Sequence, residues 1–224
     1  MSMSFDYATA REMMVEQQVR PWDVLDPRVL DVLATLPRDA FVAGTHRSLA
    51  YADLALPIGH GELMMKPVVE GRMLQALDLQ PGDEVLEVGT GSGFTAACMG
   101  RLARTVTTLE RHADLASIAQ GRLAEQGLDG NVEVVHADAL GWDPGNRRFD
   151  AVCVTGAVAT VPERFLSWLR PGGRLFVVRG VAPVMEAVLV AAPGDADGNH
   201  RTTSLFETEL PYLAGAGPVS RFEL

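Results

Sequence analysis

The stretch from Glu84 to Phe94, EVLEVGTGSGF, sets an acid, Glu87, just ahead of three glycines at alternate positions, Gly89, Gly91 and Gly93. Glycine at that density after an apolar run lets main chain pass close to a ligand in conformations other residues avoid. Three ligands compete for such a loop. A triphosphate cradle needs G-x-x-x-x-G-K-[ST], and no Lys follows Gly93. A dinucleotide fold prefers G-x-G-x-x-G, whereas Phe94 stands three residues after Gly91, where that fingerprint wants a small residue. Glu87, at the end of the apolar run, also opposes a pyrophosphate at the mouth of the following helix.

A carboxylate at that point suits a ligand bearing cationic amino and sulfonium groups, S-adenosyl-L-methionine. Two further acids support it. Glu110 closes the run TVTTLE, where carboxylates hold ribose hydroxyls in doubly wound folds, and Asp138 in HADAL stands where it could accept from an adenine amino group. Each acid alone reads first as a solvated loop residue. Together with the glycine loop they converge on one crevice at the ends of consecutive strands.

The elements around these residues alternate. EVLEV, TVTTLE, NVEVVHAD, FDAVCVTG and RLFVV read as strands, separated by helical stretches such as HADLASIAQGRLAEQG. That alternation predicts an α/β protein with a parallel sheet covered on both faces. MEAVLVAA and TSLFETELPYL follow as a final strand pair around the loop PGDADGNH. The chain before the glycine loop is helical. DYATAREMMVEQQVR places Ala10, Met13, Met14 and Gln17 near one face. DPRVLDVLATLP offers Asp26 as a cap and Pro27 as first helical residue, with Val29, Leu30, Leu33 and Leu36 at helical spacing. AYADLALPIGHGELMMKP reads as irregular, and Pro67 opens another helix. We divide the chain into residues 1–80, a helical extension and substrate-side segment, and 81–224, the cofactor-binding core.

Bulk properties narrow the partners. The chain has 224 residues and 19 Lys and Arg against 29 Asp and Glu, a formal charge of −10, which repels polyanions, so nucleic acid is not an expected partner. Its two cysteines, Cys98 and Cys153, lie far apart and suit buried thiols rather than a zinc site or disulfide, and no metal is expected. The start, MSMSFDYATAREMM, lacks a basic segment followed by an apolar block, and the apolar region after Leu175 is broken by Arg179 and Glu186. The expectation is a soluble cytoplasmic protein without membrane partners. Oligomeric state is not written in the sequence.

Over nearly its whole length, from MVEQQVRPW to LPYL, the chain resembles the seven-strand S-adenosylmethionine methyltransferases, and within them the protein-L-isoaspartate O-methyltransferase family. The glycine loop in VLEVGTGSGFTAA carries the broad likeness. VLDPRVLDVLATLPRDAFV, AYADLALPIGHG and FDAVCVTGAVATVPERFLSWLRPGGRLFVV carry the narrower one. The resemblance implies a Rossmann-like, seven-stranded, mostly parallel sheet with a reversed final strand. It also implies methyl transfer to a peptide or protein carboxylate, in that family an isoaspartyl residue. By position, Glu87, Gly89, Thr90, Gly91, Ser92, Gly93, Glu110 and Asp138 would contact the cofactor, and Thr155 and Gly156 would lie beside the reacting methyl.

One segment departs from the family. Where relatives read like G-Q-T-I-S-Q-P, with the serine at the substrate carboxylate, this chain has GELMMKP, and Met65 takes the serine's place. A thioether cannot donate the hydrogen bond that a hydroxyl gives a carboxylate. His60 and Lys66 are the nearest replacements as donors to an anionic acceptor. Three outcomes stay open: isoaspartyl methylation by a modified site, another acceptor, or a cofactor-binding protein without activity.

Overall fold

A computed structural model of the chain describes residues 5–194 and 198–218; the first four residues, the last six and the centre of the PGDADGNH loop lie outside them. α1 (Tyr7–Met14) opens on Asp6, whose carboxylate accepts from the N–H groups of Ala8 and Thr9. It continues as a π-helical stretch, Val15–Val19. The wider turn rotates the inward face, so Met14, Val15 and Val19 are buried while Met13 and Gln17, expected to face inward, are exposed. α2 (Pro27–Thr35) starts as expected, with Asp26 accepting from Arg28 N–H, and buries Val29, Leu30 and Leu33. The stretch expected to be irregular holds a short antiparallel hairpin, β1 (Leu56–Gly59) and β2 (Glu62–Met64). α3 (Pro67–Leu77) follows and ends at Asp78 in the left-handed region, φ 43°.

The remaining elements are β3 (Glu84–Val88), α4 (Phe94–Leu102), β4 (Thr105–Glu110), α5 (Ala113–Glu125), β5 (Val132–His136), β6 (Phe149–Val158), α6 (Glu163–Ser167), β7 (Leu169–Val181), β8 (Val184–Ala191) and β9 (Arg201–Glu207). They form a seven-stranded sheet in the order β5-β4-β3-β6-β7-β8-β9. β5, β4, β3, β6 and β7 are parallel, and β8 is antiparallel to both neighbours. The reversed strand is therefore the sixth along the sheet and not the last. Two successive hairpins, β7–β8 and β8–β9, turn the chain twice, so β9 runs in the sense of β7.

Strand order reverses direction at β3, with β4 and β5 laid to one side and β6 and β7 to the other. That is the point where a doubly wound sheet opens a crevice beyond its carboxyl ends. Alternation along the central strands fixes what covers them. Val85, Cys153 and Phe176 join a core with residues of α1, α2, α3 and α4, while Leu86, Val152 and Leu175 face Phe165 and Trp168. With both faces buried, the glycine loop stands on rigid strands.

Candidate active site

The crevice at the switch point holds about 910 Å³ of open space. Of the residues expected around it, Gly89, Thr90, Gly91, Ser92, Glu110, Asp138, Thr155 and Gly156 form its wall, together with Met65. Gly89 (φ 95°) and Gly91 (φ 53°) both adopt left-handed backbone. A Cβ on Gly89 would lie 2.4 Å from Thr155 Oγ1, which sits 2.7 Å from the Gly89 carbonyl and 2.9 Å from that of Val88. A Cβ on Gly91 would lie 3.0 Å from Ile58 Cδ1, so the β1–β2 hairpin closes over the glycine loop. Gly156 lies where the β6–β7 register slips, and Leu213 from the chain's far end packs against it.

The acids differ in setting. Glu110 ends β4, with Oε2 accepting from Gly91 N–H and Oε1 from His112 N–H, both at 2.9 Å. Asp138 stands two residues beyond β5, with Oδ1 accepting from Leu140 N–H at 3.0 Å. Glu87 lies behind the wall and is wholly buried. Its Oε2 accepts from Thr108 Oγ1 at 2.5 Å, and Thr108 in turn meets Thr90 Oγ1 at 2.6 Å beneath the loop. Oε1 has no partner. Burial pushes this carboxyl up to about 8, opposed by the Thr108 bond and reinforced by Glu110 and Glu70. Burial therefore favours the neutral acid at Glu87, which lies behind the wall and does not face the crevice. Gly93 (φ 88°) also sits behind the wall, where it lets α4 start against Ala119 of α5.

His60 and Lys66 lie off the wall. His60 (φ 53°) occupies the hairpin tip, with Nε2 2.9 Å from Asp114 at the start of α5 and its ring stacked 4.0 Å from His112. Lys66 is exposed and caps α3 through its backbone alone. Met65 is buried on the wall beside Met64, and its carbonyl accepts from Arg38 Nη2 at 2.6 Å.

Arg38 and Glu70 are the pair that reasoning from the sequence missed. Both are buried and joined by an ion pair, and Arg38 also donates to the Ala50 carbonyl at 2.8 Å and lies over the Phe94 ring. Glu70 lines the crevice, and burial pushes it up to about 7 against the pull of Arg38. Its position on α3 among Val68, Val69, Met73 and Leu74 was the available signal, since an acid on an apolar helix face needs a partner. Cys98 and Cys153 are buried, and burial raises both thiols, so neither is a nucleophile. Among the described residues no cluster of His, Cys, Asp or Glu could hold a metal, and no helix is long and apolar enough to cross a membrane.

A doubly wound sheet that ends in an antiparallel pair, with a glycine cradle and acids at its switch point, defines the seven-strand methyltransferase class. Comparison with known proteins narrows it. The family model for protein-L-isoaspartate(D-aspartate) O-methyltransferase matches residues 9–206. Protein-L-isoaspartate O-methyltransferase 1 of Geotalea uraniireducens is 38% identical over 210 residues, covering 93% of this chain and 94% of the relative. Protein-L-isoaspartate O-methyltransferase of a Synechococcus strain is 43% identical, covering 79% and 72%. A solved chain described as protein-L-isoaspartate O-methyltransferase superposes with a TM-score of 0.79 at 25% identity, over 92% of this chain and 67% of its own. A Plasmodium falciparum structure in complex with S-adenosyl-L-homocysteine gives the same TM-score at 18% identity, over 94% and 99%, which establishes the fold. The chain belongs to the protein-L-isoaspartate O-methyltransferase family.

Proposed function

We propose that this protein is an S-adenosyl-L-methionine-dependent methyltransferase that esterifies the free carboxylate of isoaspartyl residues in proteins or peptides. The observation that carries the reading is family membership along almost the whole chain, coinciding with a glycine cradle at the sheet's switch point. The residues present fit the cofactor in kind. Gly89 and Gly91 keep clear the space that side chains would fill, and the carboxylates of Glu110 and Asp138 keep lone pairs for hydroxyl and amino donors. Glu87 holds a buried oxygen under the loop with no partner among the described residues, behind the wall rather than on it.

The bound cofactor supplies an electrophilic methyl group on a positively charged sulfur. The chain's part is positioning. A carboxylate acceptor is already ionised near neutral pH, so no general base is required. Thr155 fixes the Gly89 carbonyl, Ile58 covers the loop, and Leu213 closes against Gly156, which together orient the reactants and exclude water. Residues 1–80 then supply the acceptor side through Met64, Met65 and Glu70, and residues 81–224 the cofactor side.

Incubation with radiolabelled cofactor and an isoaspartyl peptide tests the reading. Label released as base-labile methyl ester is expected, and none from the matching aspartyl peptide. Cofactor binding without transfer to the isoaspartyl peptide would move the assignment to another acceptor or to a binding role, the readings that Met65 favours.

A further inference from the structure

An anionic acceptor needs a hydrogen-bond donor at the end of the crevice where Met64 and Met65 form the wall. The hydroxyls nearest the reacting centre are committed elsewhere. Thr155 is held by the carbonyls of Gly89 and Val88, Thr90 by Thr108, and Tyr212 lies between the Gly180 carbonyl and Ala182 N–H. Arg38 spends its guanidinium on Ala50, Met65 and Glu70. Lys66 and His60 are off the wall. Glu70 and Thr95 remain, and Glu70 is the one that shares Arg38 with Met65: it lines the crevice in the first turn of α3, its Oε2 is occupied by Arg38, and its Oε1 is buried with no partner among the described residues.

Resting on the isoaspartyl reading above, we propose that Glu70, as a neutral carboxylic acid, donates the hydrogen bond that orients the acceptor carboxylate, in place of the hydroxyl that Met65 removes. A proton on Oε1 leaves Oε2 to accept from Arg38, so the acid is held in one orientation. The donated bond takes one acceptor oxygen and leaves the other to attack the methyl group; Glu70 keeps its proton throughout. Its surroundings favour the neutral form. Burial raises the carboxyl to about 7, with Asp53 adding to the rise and Arg38 opposing it. Glu87 on β3 and the raised Cys98 thiol on α4 are also coupled to it, and Glu62 lines the same crevice. Ionised Glu70 would instead set a second negative charge against the acceptor.

Calorimetric titration of an isoaspartyl peptide into protein saturated with S-adenosyl-L-homocysteine, from pH 5.5 to 9, reads this directly, because no turnover occurs. Wild type is expected to weaken by up to about tenfold in Kd per pH unit above about 7. Glu70→Gln keeps a carbonyl for Arg38 and an N–H donor for the peptide but cannot titrate, so it is expected to bind with a flat profile. Met65→Ser is expected to flatten the profile partly, through a hydroxyl that does not ionise in this range. A flat wild-type profile, or an undiminished slope in Glu70→Gln, overturns the proposal while leaving the reaction intact. Binding lost in Thr95→Val, with the wild-type pH slope retained in Glu70→Gln, assigns the donor to Thr95, whose hydroxyl also lines the crevice, and likewise overturns it. If S-adenosyl-L-homocysteine binds and the peptide binds at no pH, the isoaspartyl reading itself fails, and this proposal with it.

Discussion

Glu87→Gln isolates the electrostatics beneath the glycine loop. In the unfolded chain a glutamate titrates near its ordinary value of 4.5, whereas burial holds Glu87 at about 8 in the folded protein. Folding therefore favours the protonated form. The stability this residue contributes is complete below about 4.5 and is lost as pH rises towards about 8. Linkage over that interval at about 1.4 kcal/mol per pH unit gives a loss of roughly 2 kcal/mol between pH 6 and pH 8. Glu70, raised to about 7, adds roughly 1 kcal/mol over the same range with the same sign. Urea unfolding at both pH values measures this. Wild type should lose about 3 kcal/mol from pH 6 to pH 8 through these two groups, and Glu87→Gln about 1 kcal/mol. The comparison is of slopes, so a uniform effect of the buried amide does not disturb it. Equal slopes in the two proteins would refute the claim that Glu87 is neutral in the ligand-free fold.

Gly91→Val should lose cofactor binding in a calorimetric titration while keeping its circular dichroism spectrum, since φ 53° and Ile58 at 3.0 Å leave no room for a branched side chain. Thr108→Val removes the one donor to Glu87 among the described residues, and the partner of Thr90, and should lower stability by about 1–3 kcal/mol by urea unfolding. Arg38→Leu removes the donor that Glu70 Oε2 and the Ala50 and Met65 carbonyls share and should lower stability by about 1–3 kcal/mol, with Arg38→Leu/Glu70→Leu recovering part of it in a double-mutant cycle.

Local signals in the sequence located the elements well. Asp26 and Pro27 mark the start of α2, glycines with positive φ mark the loop, and apolar runs mark the strands. They did not give the direction of Glu87. In a strand with one wet face, parity alone places an acid outside. Leu86 and Val88 face one core while Val85 and Glu87 face the other, so alternation carried no sign and the acid turned inward. The π-helical stretch after α1 breaks the register between Met14 and Gln17 for a comparable reason: an altered period cannot be read from residues chosen to fit the ordinary one.

The acceptor end was the least legible part, and its construction explains why. The cofactor side comes largely from the ends of neighbouring strands, where a loop motif and its acids are fixed by sheet order. The rest of the wall comes from segments remote in sequence: Met64, Met65 and Glu70 across the end of the hairpin and the start of α3, and Tyr212 and Leu213 after the last strand, with Arg38 on a short 3₁₀ turn bonded to Met65 and Glu70 from outside it. Arg38 meets Glu70 across 32 residues and Leu213 meets Gly156 across more, and no periodicity links such positions. Arg38 alone ties the two positions, holding the main-chain carbonyl of Met65 and the carboxyl of Glu70, so it fixes the backbone at position 65 whatever side chain stands there.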